Sequence, residues 1–376
     1  MLKRTLTPHI ESWLFKGKLL LLFGARQVGK TTLCKELLKK YSDEAAYFLC
    51  ERPVIRETLQ SENLTQIKAL FGSHKLVVLD EAQVIDNIGL ILKLFHDEYP
   101  ETQIIASGSS SFELANRLSE PMTGRAIQFV LYPLSVLELE SNFSHVELQE
   151  KLTEFLRFGL YPGIIMEPLH SREELLINLS EQYLYKDILH FENLKNSKKI
   201  VSLLKLLALQ IGSEVSIHEL AVQLGFSRST VERFLDLLEK MFIIFRLGSF
   251  SRNLRKEISK KSKYYFYDLG IRNAILNSFA TMENRQDVGA LWENFCVLER
   301  IKFLHNQAIY PNTYFWRTHD QQEIDYLEER NNYLQAFEFK WGAKKTYVPP
   351  KLFVETYTNS KISLITQANW SNLLVV

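Results

Sequence analysis

Short apolar runs alternate with amphipathic stretches over the first third of the chain. Leu19 to Gly24, Ala46 to Cys50, Lys75 to Asp80, Gln103 to Gly108 and Ile127 to Leu131 read as strands. Thr31 to Lys40 and Gly89 to Glu98 lie between strands and carry their apolar residues at helical spacing. Strand alternating with helix predicts a parallel α/β sheet. From about Ser135 to Ser249 the apolar positions recur every three or four residues, which predicts a helical region. From about Lys263 the pattern is mixed, with strands expected at Tyr264 to Tyr267, Thr313 to Trp316 and Tyr333 to Phe339 and a helix at Gly289 to Leu304. These shifts predict three parts, 1–134, 135–262 and 263–376. No repeat or low-complexity linker separates them, so close packing is expected.

Composition narrows the class. A chain of 376 residues exceeds one ordinary domain, and its apolar and charged fractions, 46% and 24%, are those of a globular protein. A net charge of +1 excludes a global bias towards nucleic acid or membrane, so any basic binding surface must be local. Cys34, Cys50 and Cys296 are scattered in no metal-ligand spacing, which predicts a reducing compartment without a disulfide framework. Apolar runs such as Leu19 to Phe23 are too short to span a bilayer. No apolar stretch follows Lys3 and Arg4 as a signal peptide requires. A cytoplasmic protein without membrane association is expected.

The first candidate site lies where the first strand meets a helix. Gly24-Ala25-Arg26-Gln27-Val28-Gly29-Lys30-Thr31 matches G-x-x-x-x-G-K-[ST], with Thr32 opening the helix. Glycines let the backbone curl so that its N–H groups face phosphate oxygens at a helix N-terminus, which already favours anions. The pattern predicts ATP binding by residues 24–32, with Lys30 on the β- and γ-phosphates and the Thr31 hydroxyl on magnesium. The alternative is a chance glycine-rich turn. Lys75 to Glu81 is an apolar strand ending in two acids. Asp80 is expected to hold the magnesium through water, and Glu81 to activate the attacking water; alone, the pair would read equally as a solvated acidic turn. The strand at Gln103 to Gly108 runs into Ser109-Ser110-Ser111, where Ser109 is the candidate γ-phosphate sensor, or one member of a turn-rich loop. Arg125, in Met122-Thr123-Gly124-Arg125, is either an arginine finger for a neighbouring subunit of an oligomer or a surface arginine.

The P-loop, the Asp-Glu strand, the serine run and the Gly124-Arg125 pair together resemble AAA+ superfamily ATPases of bacteria and archaea, more narrowly those with a C-terminal domain of unknown function. Tyr185-Lys186-Asp187, Ser251-Arg252-Asn253-Leu254, Tyr265-Phe266-Tyr267-Asp268 and Trp292-Glu293-Asn294 fall in the expected order, so the resemblance covers nearly the whole chain. It implies the fold class: a P-loop NTPase parallel sheet, then a helical lid, then a C-terminal α/β domain. It implies no cellular role.

In the middle, Ser216 to Leu224 and Ser227 to Met241 read as two helices about a turn at Gly225-Phe226, followed by a strand at Phe242 to Leu247. This is a winged-helix pattern, with Ser227 or Ser229 as cap, the latter paired with Glu232 in a capping box. The second helix carries Arg228, Arg233 and Lys240 against Glu232, Asp236 and Glu239, a balance that suits protein packing at least as well as DNA reading. The candidate phosphate-contacting patch for DNA is Arg252, Arg255, Lys256, Lys260, Lys261 and Lys263, with a solvated basic loop as the alternative.

After residue 285, Glu293 on a helix, Asp325 on a strand and Glu338-Phe339-Lys340 at the end of another resemble the PD-(D/E)xK restriction-endonuclease-like fold. That resemblance implies a second site for one or two magnesium or manganese ions, held by Asp325 and Glu338 with help from Glu293, and Lys340 orienting the nucleophilic water. Three convergent carboxylates repel, so a divalent cation is expected among them. The alternative is a retained fold without catalysis.

Three functions follow. One is an ATP-hydrolysing switch or machine acting on DNA. The second is an ATP-gated, metal-dependent DNA nuclease. The third is a nucleotide-regulated scaffold for a protein partner that the sequence does not name.

Overall fold

The computed structural model describes residues 2–109, 124–191, 197–251, 262–318, 320–342 and 347–375. The chain divides into two compact units: Met1–Leu134 with Lys240–Phe242, and Ser135–Glu239 with Ile243–Val376.

The first unit is built on β1 (Leu19–Phe23), β2 (Ala45–Leu49), β3 (Leu76–Asp80), β4 (Gln103–Gly108) and β5 (Ala126–Val130). All neighbours are parallel, in the order β2-β3-β4-β1-β5. Every residue of β1, β3 and β4 is buried, as continuous apolar strands in the middle of a parallel sheet must be. The strands lie within a residue of the positions read from the pattern. What the pattern could not order is that β4 inserts between β1 and β3. The ends of β1 and β3 therefore stand two strand spacings apart, about 10 Å, with the end of β4 between them. The Lys30–Lys39 helix follows β1 and buries Leu33, Cys34 and Leu37.

The second unit carries helices at His145–Phe158, Leu169–Phe191, Ser197–Leu209, Ile217–Leu224, Arg228–Lys240, Leu269–Leu276 and Val288–Asn306. Its strands are β6 (Glu214–Val215), β7 (Ile244–Ser249), β8 (Ser262–Phe266), β9 (Asn312–Arg317), β10 (Glu323–Arg330), β11 (Tyr333–Phe339) and β12 (Ser360–Ile365). They form one mixed sheet, ordered β12-β11-β10-β9-β7-β8-β6. Ser216 caps Ile217–Leu224, and Ser227 accepts from the Thr230 N–H at 3.1 Å at the start of the next helix. Beyond that helix β7 pairs antiparallel with β8 and parallel with β9, so strands on either side of residue 262 share one sheet.

A close junction fastens the helices of this unit. The Asp268 carboxylate accepts from the Leu160 N–H at 2.7 Å and from the Ile271 N–H at 3.1 Å, capping Leu269–Leu276. Burial pushes its pKa up to about 6, against the pull of those hydrogen bonds. Gly159, at φ +69°, leaves no room for a side chain, because a Cβ there would lie 2.1 Å from Asp268 Oδ1. Arg272, buried, donates to Ala208 O and to Asp287, and Asn273 donates to Leu156 O and Arg157 O. Buried polar groups that reach backbone carbonyls of other helices fix how those helices pack.

Candidate functional site

The loop between β1 and the next helix is shaped by its glycines. Gly24 has φ +153°, and a Cβ there would lie 2.3 Å from Leu131 O on the neighbouring chain segment. Gly29, at φ +101°, precedes the first helical residue, Lys30. Gly24, Ala25 and Val28 are buried, whereas Arg26, Gln27 and Thr32 are exposed. Lys30 is 5% exposed and donates to Gly24 O and Ala25 O, each at 2.9 Å. Its ammonium thus lies inside the curve of the loop. Burial lowers its pKa to about 8, although Glu81 and Asp80 pull the other way.

The acids at the tip of β3 meet this loop across β4. The Thr31 hydroxyl donates to Asp80 Oδ2 at 2.6 Å, Tyr47 donates to the same oxygen at 2.5 Å, and Ser107 donates to Oδ1. Burial pushes the Asp80 carboxyl up, but these three hydrogen bonds and the Lys30 charge outweigh it and hold the group below the usual carboxylate range. A hydroxyl and an ionised carboxylate in contact are the hard oxygen donors that magnesium takes, so Thr31 and Asp80 fit that ion. Glu81 follows with a left-handed backbone, φ +54°. The Gln83 amide donates to Glu81 Oε2 at 2.5 Å and to Ser109 Oγ at 3.1 Å. Lys30, Thr31, Asp80, Glu81 and Ser109 are thereby gathered at the same end of the sheet, where β1, β3 and β4 terminate. Ser110 and Ser111 lie outside the described residues.

Arg125 is not gathered there. It precedes β5, and its carbonyl accepts from the Leu19 N–H at the start of β1, the opposite end of the sheet from the P-loop. Its guanidinium grips Asp97 at 2.8 and 3.2 Å on the surface. Sequence reading missed Tyr47, Ser107, Gln83 and Arg4. Arg4 donates to Val28 O at 2.7 Å and Tyr132 O at 2.5 Å, bracing the P-loop from a segment far from it in sequence. Only Gln83 carried a signal, its position two residues beyond Glu81.

Residues 16–140 match the family model described as an AAA domain. That stretch of the chain is an AAA-type P-loop domain. The remainder of the chain matches two models described as domains of unknown function, DUF8612 over residues 149–281 and DUF4143 over residues 288–371. An uncharacterized protein of Mycobacterium tuberculosis is 28% identical over 342 residues, covering 90% of this chain and 74% of the relative. An uncharacterized protein of Methanocaldococcus jannaschii is 26% identical over 346 residues, covering 86% and 75%. Among solved structures, that of the Aeropyrum pernix ORC1 protein in complex with DNA is 13% identical, covers 72% of this chain and 91% of its own, and has a TM-score of 0.30, short of a shared overall arrangement. Among the described residues, no helix is long and apolar enough to cross a membrane.

The C-terminal constellation is partly as expected. Asp325 lies where the β9–β10 register shifts, between Ile324 and Leu327, and its Oδ2 accepts from the Phe339 N–H at 2.8 Å. Lys340 bonds Glu338 Oε1 at 2.6 Å, while Glu338 Oε2 is buried with no hydrogen-bond partner. Burial, then the Asp325 charge, lifts both Glu293 and Glu338 to about 7, so each of the two lies within electrostatic reach of Asp325. Burial also raises Asp325 itself, against Lys263 and Lys340.

Lys263 corrects the sequence reading. It was expected in an exposed patch contacting phosphate, but it is 1% exposed and bonds Glu293 at 2.8 Å and Glu323 at 2.5 Å. Its position on β8, all of whose residues are buried, turns it inward, and a buried ammonium needs carboxylate partners. It supplies positive charge where a divalent cation was expected. Among the described residues, no group of three or more His, Cys, Asp or Glu side chains is arranged to hold a metal ion. Arg252, Arg255, Lys256, Lys260 and Lys261 lie outside the described residues.

Proposed function

We propose that the first unit binds ATP with magnesium and hydrolyses it, and that the protein is a nucleotide-driven switch or machine in the cytoplasm. The carrying observation is the convergence of Lys30, Thr31, Asp80, Glu81 and Ser109 at one end of the parallel sheet. Lys30 binds the β- and γ-phosphates, and backbone N–H groups of residues 24–30 cradle them. Thr31 and Asp80 hold magnesium, which supplies charge stabilisation to the phosphates when bound. Glu81 accepts the proton of the attacking water, and Ser109 faces the γ-phosphate. Three unpaired, buried cysteines accord with a reducing compartment. The test is release of phosphate from ATP by the purified protein. Glu81→Gln should keep its affinity for a fluorescent ATP analogue and lose turnover by about 10²-fold or more. Wild-type turnover in that variant would return Glu81 to a solvated turn residue.

A second reading is an ATP-gated nuclease, favoured by one observation: the unpartnered buried oxygen of Glu338 beside Asp325. A buried acceptor without a donor calls for a ligand. Here Asp325 and Glu338 alone would hold a divalent cation, with Lys340 beside them, while Glu293 answers Lys263. In this reading the Ile217–Leu224 and Arg228–Lys240 helices with β7 are a winged helix, and the basic residues before β8 meet the nucleic-acid backbone. On a scaffold reading the same elements pack against a protein instead, and stimulation of turnover by protein but not DNA separates the two.

A further inference from the structure

We propose that Gln83 is a positioning residue that couples Glu81 to Ser109; this rests on the hydrolysis reading above. The local backbone sets it up. Glu81 takes the left-handed conformation, φ +54°, and a tight turn, Ala82–Val84, follows at once. Val84 N–H closes on Glu81 O at 3.3 Å and Ile85 N–H on Ala82 O at 3.1 Å. The turn folds the chain back on itself, so the side chain two residues after Glu81 reaches the Glu81 carboxylate and the end of β4. Gln83 and Ser109 are 5% and 7% exposed, so water competes little for these hydrogen bonds.

A primary amide has two N–H groups that diverge, and here each has a different acceptor: Glu81 Oε2 at 2.5 Å and Ser109 Oγ at 3.1 Å. Two consequences follow from donor and acceptor counting. The first is that Glu81 is held by one oxygen as an acceptor, which leaves Oε1 to take a proton from water. The second is that Ser109, because its oxygen accepts from Gln83, keeps its own hydroxyl proton to donate, as contact with a phosphate oxygen requires. A single amide thus orients both groups on the γ-phosphate side, from the ends of two adjacent strands. A carboxylate at this position would repel Glu81, and an apolar side chain would leave both groups free to rotate.

The test uses the full-length protein with ATP and magnesium. Gln83→Met should lower kcat about tenfold or more while leaving the affinity for a fluorescent ATP analogue within about twofold, because the phosphate-binding loop is untouched. Gln83→Glu adds a carboxylate against Glu81, in a site already holding Asp80 and the Lys30 ammonium. It restores neither donor to Glu81 and Ser109, so its kcat should fall at least as far as that of Gln83→Met. A purely structural brace would lose analogue binding and thermal stability together with turnover, and that pattern overturns the proposal. So does an unchanged kcat in Gln83→Met or in Gln83→Glu. Absence of turnover in the wild type removes the hydrolysis reading and this one with it. Wild-type turnover with unaffected variants removes this one alone.

Discussion

At the residue scale, Lys30 concentrates the chemistry of the first unit. Its ammonium is buried against backbone carbonyls and titrates at about 8, so it begins to lose its charge just above neutral pH. The charged form exists below that pKa, and only that form attracts phosphate. Affinity for an ATP analogue should therefore fall about tenfold between pH 7 and pH 9, since at pH 9 only about one molecule in ten is charged. Fluorescence titration across that range checks it, and Lys30→Ala should bind weakly at every pH without the slope. A flat profile in the wild type would mean that Lys30 does not meet the phosphates. The P-loop was legible because its constraints are local: Gly24 and Gly29 hold positive φ, and the lysine and threonine follow at fixed spacing. Tyr47, Ser107 and Arg4 were not legible, because nothing near them in sequence marks them as partners of Asp80 or Val28.

At the scale of elements, the junction of Gly159 with Asp268 is the most sensitive point of the second unit. A methyl at Gly159 would sit against the Asp268 carboxylate, on a backbone that L-residues rarely adopt. Gly159→Ala should cost about 2–4 kcal/mol and lower the melting temperature of this unit, measured by chemical and thermal unfolding. A variant as stable as wild type would show that the helix end can shift freely. The acid cluster gives a second prediction. Glu293 and Glu338 both titrate at about 7 in the folded protein, above their usual value, because they are buried beside Asp325. The folded state keeps protons that the unfolded chain gives up above about pH 4.3. This contribution is fully present below the unfolded pKa and is lost as pH rises through 7. Thermal melts should show the second unit less stable at pH 8 than at pH 5.5, and Glu338→Gln should flatten the difference. Equal melting at both pH values would mean that the acids do not meet in solution. The strands and helices themselves were readable from periodicity, usually to within a residue or two. The capping and glycine constraints around Asp268 were not, because Gly159 and Asp268 are far apart in the chain.

At the scale of the whole molecule, the DNA reading of the second unit makes a demand on salt dependence. If the second unit acts on DNA, binding should weaken steeply with salt, and neutralising Lys260 and Lys261 should flatten that dependence. Lys263 belongs to the acid cluster, so changing it should alter stability and not the salt slope. Cutting of DNA dependent on magnesium or manganese, present in wild type and lost in Asp325→Ala, would establish the nuclease reading; no cutting under any nucleotide condition would leave the switch or scaffold. By itself the sequence determined what depends on residues near one another: a phosphate-binding loop between strand and helix, the Asp80-Glu81 pair at a strand tip, the alternation that makes a parallel sheet, and the order of elements. Only the tertiary structure decided what depends on which strands lie side by side. The insertion of β4 between β1 and β3 brings Ser109 and Gln83 to Glu81, and the placement of β8 within the second sheet turns Lys263 inward among the acids. Strand order is a contest of packing among distant segments, and a lysine in an apolar strand reads the same in sequence whether its partner is water or a buried carboxylate.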